Sequence, residues 1–354
     1  MYRNSFLKKS VVLLLSAAAV FVSCCKHNNG HDGFKGKPIT FTTSRLVDTK
    51  ASIQFPDGIG KIAWSNGDVF RIFNPDGTAS GGSQKWADYG IAVQANTTVF
   101  PDTDSNELLW GGDGLHHFYA VFPVGDLNGN VVTANIPSTQ PTQALNSLVD
   151  GSRTYAPVLS QYGYMAAAAE AIPSADPVNL VFKPMFTTLC FSVSSTGDDP
   201  IEVSGFRLES AGGGALAGGF TAGLSAQADP AITVDPASAS SQITVTLDPQ
   251  GPFSLGKDDL LQVYVVALPQ DLTNLTAYFT VNGEEVALPL TDANGNPIVV
   301  HPGQYVDVSA LGLLTPQGGG DDPGDDPGDD PDPDVPVNIT ITIDGLVVSE
   351  YEID

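Results

Sequence analysis

Cysteine is nearly absent from the chain: three residues in 354 are too few for a disulfide framework to hold the fold. Basic side chains are also scarce, with 15 Lys and Arg against 40 Asp and Glu and a net charge of −25. A field of that sign repels phosphate at long range, which excludes nucleic acid and anionic lipid headgroups as main partners. Long hydrophobic runs are missing as well, since the apolar stretch from Val11 to Val22 falls short of the ~20 residues a spanning helix needs. The sequence has no Gly-x-Ser-x-Gly elbow, no His-Glu-x-x-His, no phosphate-cradling Gly-x-x-x-x-Gly-Lys and no Cys-x-x-Cys. It therefore reads as a non-enzyme with no cofactor and no metal site. What is plentiful is glycine (37) and proline (26), in a chain that is 42% hydrophobic. That combination excludes a long-helix protein and global disorder, and leaves a turn-rich, all-β chain of about two domains.

The first residues read as a processing signal: Arg3, Lys8 and Lys9 precede the apolar run, which ends Phe21-Val22-Ser23-Cys24. A small residue before cysteine is the arrangement in which a bacterial lipoprotein thiol receives diacylglycerol. Cys24 is the acceptor expected, because Cys25 has a cysteine before it; ordinary signal cleavage near Ser23 is the alternative. Removing residues 1–23 takes away three basic and no acidic side chains, so maturation makes the chain more acidic. Cys190, inside the apolar stretch Thr187-Thr-Leu-Cys-Phe-Ser-Val193, reads as a small buried hydrophobe.

From Lys35 to about Leu314 strand follows strand, separated by Gly, Pro, Asn and Asp clusters. Segments such as Ile39 to Thr43, Ile62 to Trp64, Val69 to Phe73, Phe118 to Phe122, Val178 to Phe182, Gln262 to Leu268 and Leu275 to Val281 have strand composition and length. In Ile243-Thr-Val-Thr-Leu247 the odd positions are expected in the core and the threonines outside. Asn282-Gly283 predicts a two-residue hairpin with positive φ at both positions. Helical propensity is confined to Gln161–Ile172, which also fits a strand end followed by a short helix. A boundary at Pro173 to Pro177 divides the body into two domains, residues 35–172 and 173–315, after a tether of residues 24–34.

Beyond Leu314 the composition changes to an Asp-Asp-Pro-Gly repeat, residues 316–336, in which eight like charges and alternating prolines cannot bury anything. It lacks the spacing of an EF-hand loop and reads as an extended spacer, with a reach on the order of 60 Å at ~3.1 Å per residue. The last segment, residues 337–354, is different. Val337, Ile339, Ile341 and Ile343 alternate without fault, and Leu346, Val348, Tyr351 and Ile353 keep the segment apolar to its end. An isolated strand cannot bury such a face, so it needs a sheet belonging to another chain or to its own body.

Other candidate sites have bland readings. His116 and His117 are adjacent, and neighbours in a strand face opposite sides, which opposes joint chelation. His27 and His31 lie in the tether. Gly212 to Gly219 reads as a close-packed or flexible β connection. Trp64 is expected in the core, while Trp86 with Tyr89 is the one surface aromatic pair suited to stacking on a sugar.

Several stretches, taken in order, carry a resemblance: the lipoprotein cysteine, Ile39-Thr-Phe-Thr-Thr-Ser-Arg45, Trp64-Ser-Asn-Gly-Asp68 with its apolar strand, Phe118-Tyr-Ala-Val-Phe-Pro123, Tyr164-Met-Ala-Ala, Val178 to Phe191, Phe206-Arg-Leu-Glu-Ser, Leu216 to Phe220 and Pro302-Gly-Gln-Tyr305. Together they resemble the fimbrillins, the pilin and pilus-tip subunits of the type V pili of Bacteroidales. The resemblance implies two tandem transthyretin-like Greek-key β-sandwich domains plus a tethered C-terminal donor strand. It also implies assembly by strand exchange at the outer membrane and cell surface. The lipidated precursor is cut by an Arg/Lys-specific protease, the first strand leaves, and the C-terminal strand of another pilus subunit fills the groove. On this chain Arg45 is the cleavage candidate, Ile39, Thr40, Phe41, Thr42 and Thr43 form the displaced strand, and Val337 to Ile353 is the donor. The matching alternation of Ile39-Thr-Phe-Thr and Ile339-Thr-Ile-Thr fits two strands made for one groove. The alternative is a monomeric outer-membrane surface lipoprotein that binds glycans or host proteins, with its C-terminal strand folded back on its own sheet.

Overall fold

The computed structural model describes residues 33–43, 52–54, 61–64, 66–93, 97–102, 106–141, 145–146, 157–195, 199–247, 252–256, 259–292, 295–313, 315–317, 338–340 and 345–350. The chain is all-β apart from one short helix, Pro157–Tyr162, among the described residues. A six-stranded antiparallel sheet, here the first sheet, runs in the order Lys183–Pro184, Met165–Ala171, His116–Phe122, Val69–Phe73, Trp86–Val93, Thr97–Pro101. Its inner face carries Phe70, Ile72, Tyr89 and Phe118, all buried. Against that face lie two small pairs, Phe41–Thr43 with Val178–Leu180 and Thr78–Ala79 with Leu108–Leu109. Trp64 is in the core as expected, its ring edge-on to Phe122 and Phe182 at 5.1 and 5.0 Å.

The second half is a sandwich of two further sheets. One runs Leu145–Asn146, Leu260–Ala267, Thr187–Ser194, Gln304–Leu313, Gly345–Glu350; the other runs Thr139–Gln140, Gln242–Val245, Ile201–Ser210, Leu275–Val281, Glu284–Pro289. Phe191 of the former meets Phe206 of the latter at 4.9 Å, and Phe206 meets Phe279 at 5.0 Å. Pairing of this kind joins the faces of two sheets through interdigitated side chains. A fourth sheet, Asp126–Asn128, Val131–Ile136, Gly218–Ser225, Ala228–Val234, takes two strands from each side of position 173. Val178–Leu180 and Lys183–Pro184, which follow that position, pair with strands of the first half. Hydrogen-bonded ladders therefore cross the point where composition alone divides the chain.

Local patterns explain most elements. Ile243, Val245 and Leu247 are buried and the intervening threonines exposed. Asn282 and Gly283 take φ of 50° and 86° and turn the chain between Leu275–Val281 and Glu284–Pro289. Gly218, with φ of 139°, lets its backbone pass the Ser238 carbonyl, which a Cβ would approach to 2.9 Å. Cys190 is fully buried. Met165–Ala171, despite its alanines, is a strand pinned along its full length to His116–Phe122, and the helix precedes it. Small side chains let the fourth sheet come close there, and the ladder overrides helix propensity.

Candidate functional site

The first strand is a core element. Ile39, Phe41 and Thr43 are buried, Thr40 is exposed and Thr42 half-exposed, the alternation its sequence predicts. Phe41 stands edge-on to Tyr89 and Phe118 with ring centroids at 5.0 and 5.5 Å. Outside its ladder, Ile39 N–H donates to the Leu108 carbonyl at 2.9 Å and Val178 N–H donates to the Thr40 carbonyl at 2.9 Å. Its ladder to Val178–Leu180 is parallel and three residues long. A segment so attached fills a groove in the inner layer, and its loss would remove one aromatic neighbour each from Tyr89, which keeps Phe70, and from Phe118, which keeps Trp110.

The terminal strand lies on the chain's own body. Gly345–Glu350 pairs antiparallel with Gln304–Leu313, setting Leu346 opposite Val308 and Val348 opposite Val306. Val306 and Val308 are fully buried. Gln304–Leu313 is bounded on its other side by a parallel ladder to Thr187–Ser194, so the terminal strand covers what would be an open sheet edge. Ile339 lies in Asn338–Thr340, which pairs with Thr315–Gln317. The structure thus puts the first strand in the inner layer of the first half and the terminal strand on a sheet of the second. Cys24, Arg45, Val337, Ile341, Ile343, Tyr351 and Ile353, together with His27, His31 and residues 318–336 of the spacer, lie outside the described residues, whereas Pro316 and Gln317 at the start of the spacer are in a strand.

Trp86 and Tyr89 separate. Trp86 is half-buried on the outer face of the first sheet, and Tyr89 is 2% exposed on its inner face. The Tyr89 hydroxyl accepts the Leu108 N–H at 2.9 Å, and burial pushes its pKa well above the ordinary 10.0. Tyr89 is therefore a wall of the first-strand groove, and of this pair Trp86 alone lies on the outer face. Over Trp86 lies the Arg71 guanidinium, 3.9 Å from the ring centroid, held by Asp88 through bonds of 2.7 and 2.9 Å. Phe73 opposes both Trp86 and Tyr119 in the ladders.

Beside Tyr119 is a polar cluster. Asp76 accepts both the backbone N–H of His117 and a 2.8 Å bond with its Nδ1; His117 Nε2 lies 3.7 Å from Glu170 Oε1, to which Gln227 Nε2 donates at 2.9 Å. Partial burial would raise the Asp76 pKa, but the bonds to His117 outweigh it and hold the carboxyl below its ordinary 3.8. His116 points the other way, buried beside Trp110 and Asn74. Sequence reading missed this row and cluster because both depend on cross-strand register and on a hairpin that returns from residues 225–228.

No family model matches the chain, and no curated protein matches it. Among solved structures it is similar to a proposed cell adhesion protein from Bacteroides ovatus, at 13% identity and a TM-score of 0.48, covering 90% of this chain and 99% of that one. A proposed cell adhesion protein from Bacteroides uniformis aligns at 14% identity and 0.48, covering 78% and 94%. The C-terminally truncated tip fimbrial protein of Porphyromonas gingivalis aligns at 8% identity and 0.37, covering 81% and 95%.

Proposed function

We propose that the chain is a structural subunit of a surface fimbrium, exported as a lipoprotein through Cys24 and assembled by strand exchange after cleavage at Arg45. In this reading Ile39–Thr43 leave, and Val337–Ile353 of a neighbouring subunit enter the vacated groove. The observation that carries it is the first strand itself: core side chains on a short, weakly laddered segment that is followed within two residues by a basic side chain. Burial of an Ile and a Phe is worth roughly 1.5–3 kcal/mol each, a driving force that a replacement strand of the same alternation would recover. Other pilus subunits are the partners, with the protease and the outer membrane needed only before assembly. The supporting experiment is assembly of Leu46–Asp354 into polymers and its loss on deletion of Val337–Asp354; unchanged assembly after the deletion would remove the donor role. Arg45→Ala should leave the lipidated full-length form to accumulate, and processing that continues elsewhere, for instance at Lys50, would remove Arg45 from the scheme.

One observation favours a second reading. Gly345–Glu350 pairs with the chain's own Gln304–Leu313, as expected of a monomeric surface lipoprotein whose tail stays at home. The N-terminal residue of the protein recovered from cells separates the two: lipidated Cys24 for the monomer, free Leu46 for the assembled subunit.

A further inference from the structure

The outer face of the first sheet carries three aromatic side chains in one row. Phe73 is the direct ladder partner of Trp86 on one side and of Tyr119 on the other, and all three are half-buried while Ile72, Ala87, Phe118 and Ala120 beside them face inward. With strands about 4.8 Å apart, the row is about 10 Å long. Its Tyr119 end opens into a cavity of about 280 Å³, walled also by His117, Asn130, Glu170 and Gln227. That size is close to the lower end of the range of ligand sites, about 300–1,000 Å³.

We propose that this row and cavity form a binding site for a neutral saccharide. A pyranose ring presents C–H groups on its faces and hydroxyls round its rim. Such a ligand matches the aromatic rings of Phe73 and Tyr119, whose π-faces are negative, beside groups that both donate and accept hydrogen bonds, while the Trp86 end of the row is already capped by the Arg71 guanidinium. Gln227 and Asn130 offer amides, Glu170 a carboxylate, His117 an imidazole and Tyr119 a phenol. The phenol's pKa is raised by partial burial and by the charges of Asp76 and Glu170, which keeps its proton in place as a donor. The same carboxylates, on a chain of net charge −25, oppose sialylated, uronic or sulfated sugars. The cluster is already braced: Gln227 holds Glu170, and Ser225 holds the Gln227 backbone and side chain at 3.2 Å. Little ordering is left for a ligand to impose.

The site lies on the face opposite the first-strand groove, so its test is independent of assembly. The full chain is presented to conjugates bearing galactose, mannose or N-acetylglucosamine, with a sialyllactose conjugate and heparin as anionic comparators, and binding is followed by interferometry and intrinsic fluorescence. Trp64 and Trp110 are each 2% exposed, so a saccharide-induced fluorescence change reports on Trp86. Binding of at least one neutral conjugate and of neither anionic probe is expected. Tyr119→Ala and Gln227→Ala should each weaken it at least tenfold, and Tyr119→Phe less than Tyr119→Ala. Gln227 is exposed, so its variant keeps the test open if Tyr119→Ala unfolds. Failure of every neutral conjugate, preference for the anionic probes, or undiminished binding by Gln227→Ala would overturn the proposal.

Discussion

Phe41 reaches the core from a strand only three residues long, so truncating it separates what the side chain contributes from what the ladder contributes. Phe41→Ala should cost about 3–5 kcal/mol in urea denaturation, whereas Thr42→Ala, at a half-exposed position, should stay within about 0.5 kcal/mol. Tyr89 adds a pH signature. Its folded-state pKa is raised, so the stability that depends on a neutral phenol is complete below the ordinary 10.0 and declines as pH rises past it, where only the unfolded chain ionises. Melting temperature measured across that alkaline range should fall more steeply for the native chain than for Tyr89→Phe. The variant should lose about 1 kcal/mol at neutral pH because Leu108 N–H loses its acceptor. Parity was the signal available here: residues three apart in a strand face opposite sides, so Trp86 and Tyr89 could not share a surface.

At the scale of elements, what the sequence made legible was whatever is written locally. The alternation in Ile243–Leu247 and the Asn282-Gly283 turn need only neighbouring residues, and both appear as expected. Met165–Ala171 does not, because its state is decided by a ladder to His116–Phe122 that no local pattern records. Nor does any local pattern announce that Lys183–Pro184 joins a first-half sheet, or that Glu170 meets Gln227. The terminal strand was legible as a strand in need of a sheet, but not as to which one. Its pairing makes a direct prediction for hydrogen exchange: deleting Gly345–Asp354 should reduce amide protection within Gln304–Ser309 on the uncovered side, while Leu189–Phe191, laddered to Leu260–Ala267 as well, stays protected. Unchanged protection would mean that the terminal strand does not occupy that edge in solution.

For the whole molecule the acid excess matters most. Leu46–Asp354 carries 8 Lys and Arg against 39 Asp and Glu, a net charge of −31, and such subunits repel one another, so if strand exchange joins them its rate, followed by light scattering, should rise with salt as the repulsion is screened. A rate that falls with salt would point to attraction between charged patches instead. The parallel ladder of the first strand has a consequence for biogenesis. Thr42 meets Asn179 across 137 residues of chain, and such long-range contacts form slowly because loop closure must come first. If the chain is exported from its N-terminal end, as the proposed function requires, the first strand emerges well before its partner, and the first hydrophobic layer stays unsealed until residues 178–180 follow. In that case the order of emergence, rather than the strength of any contact, would time the closing of the core.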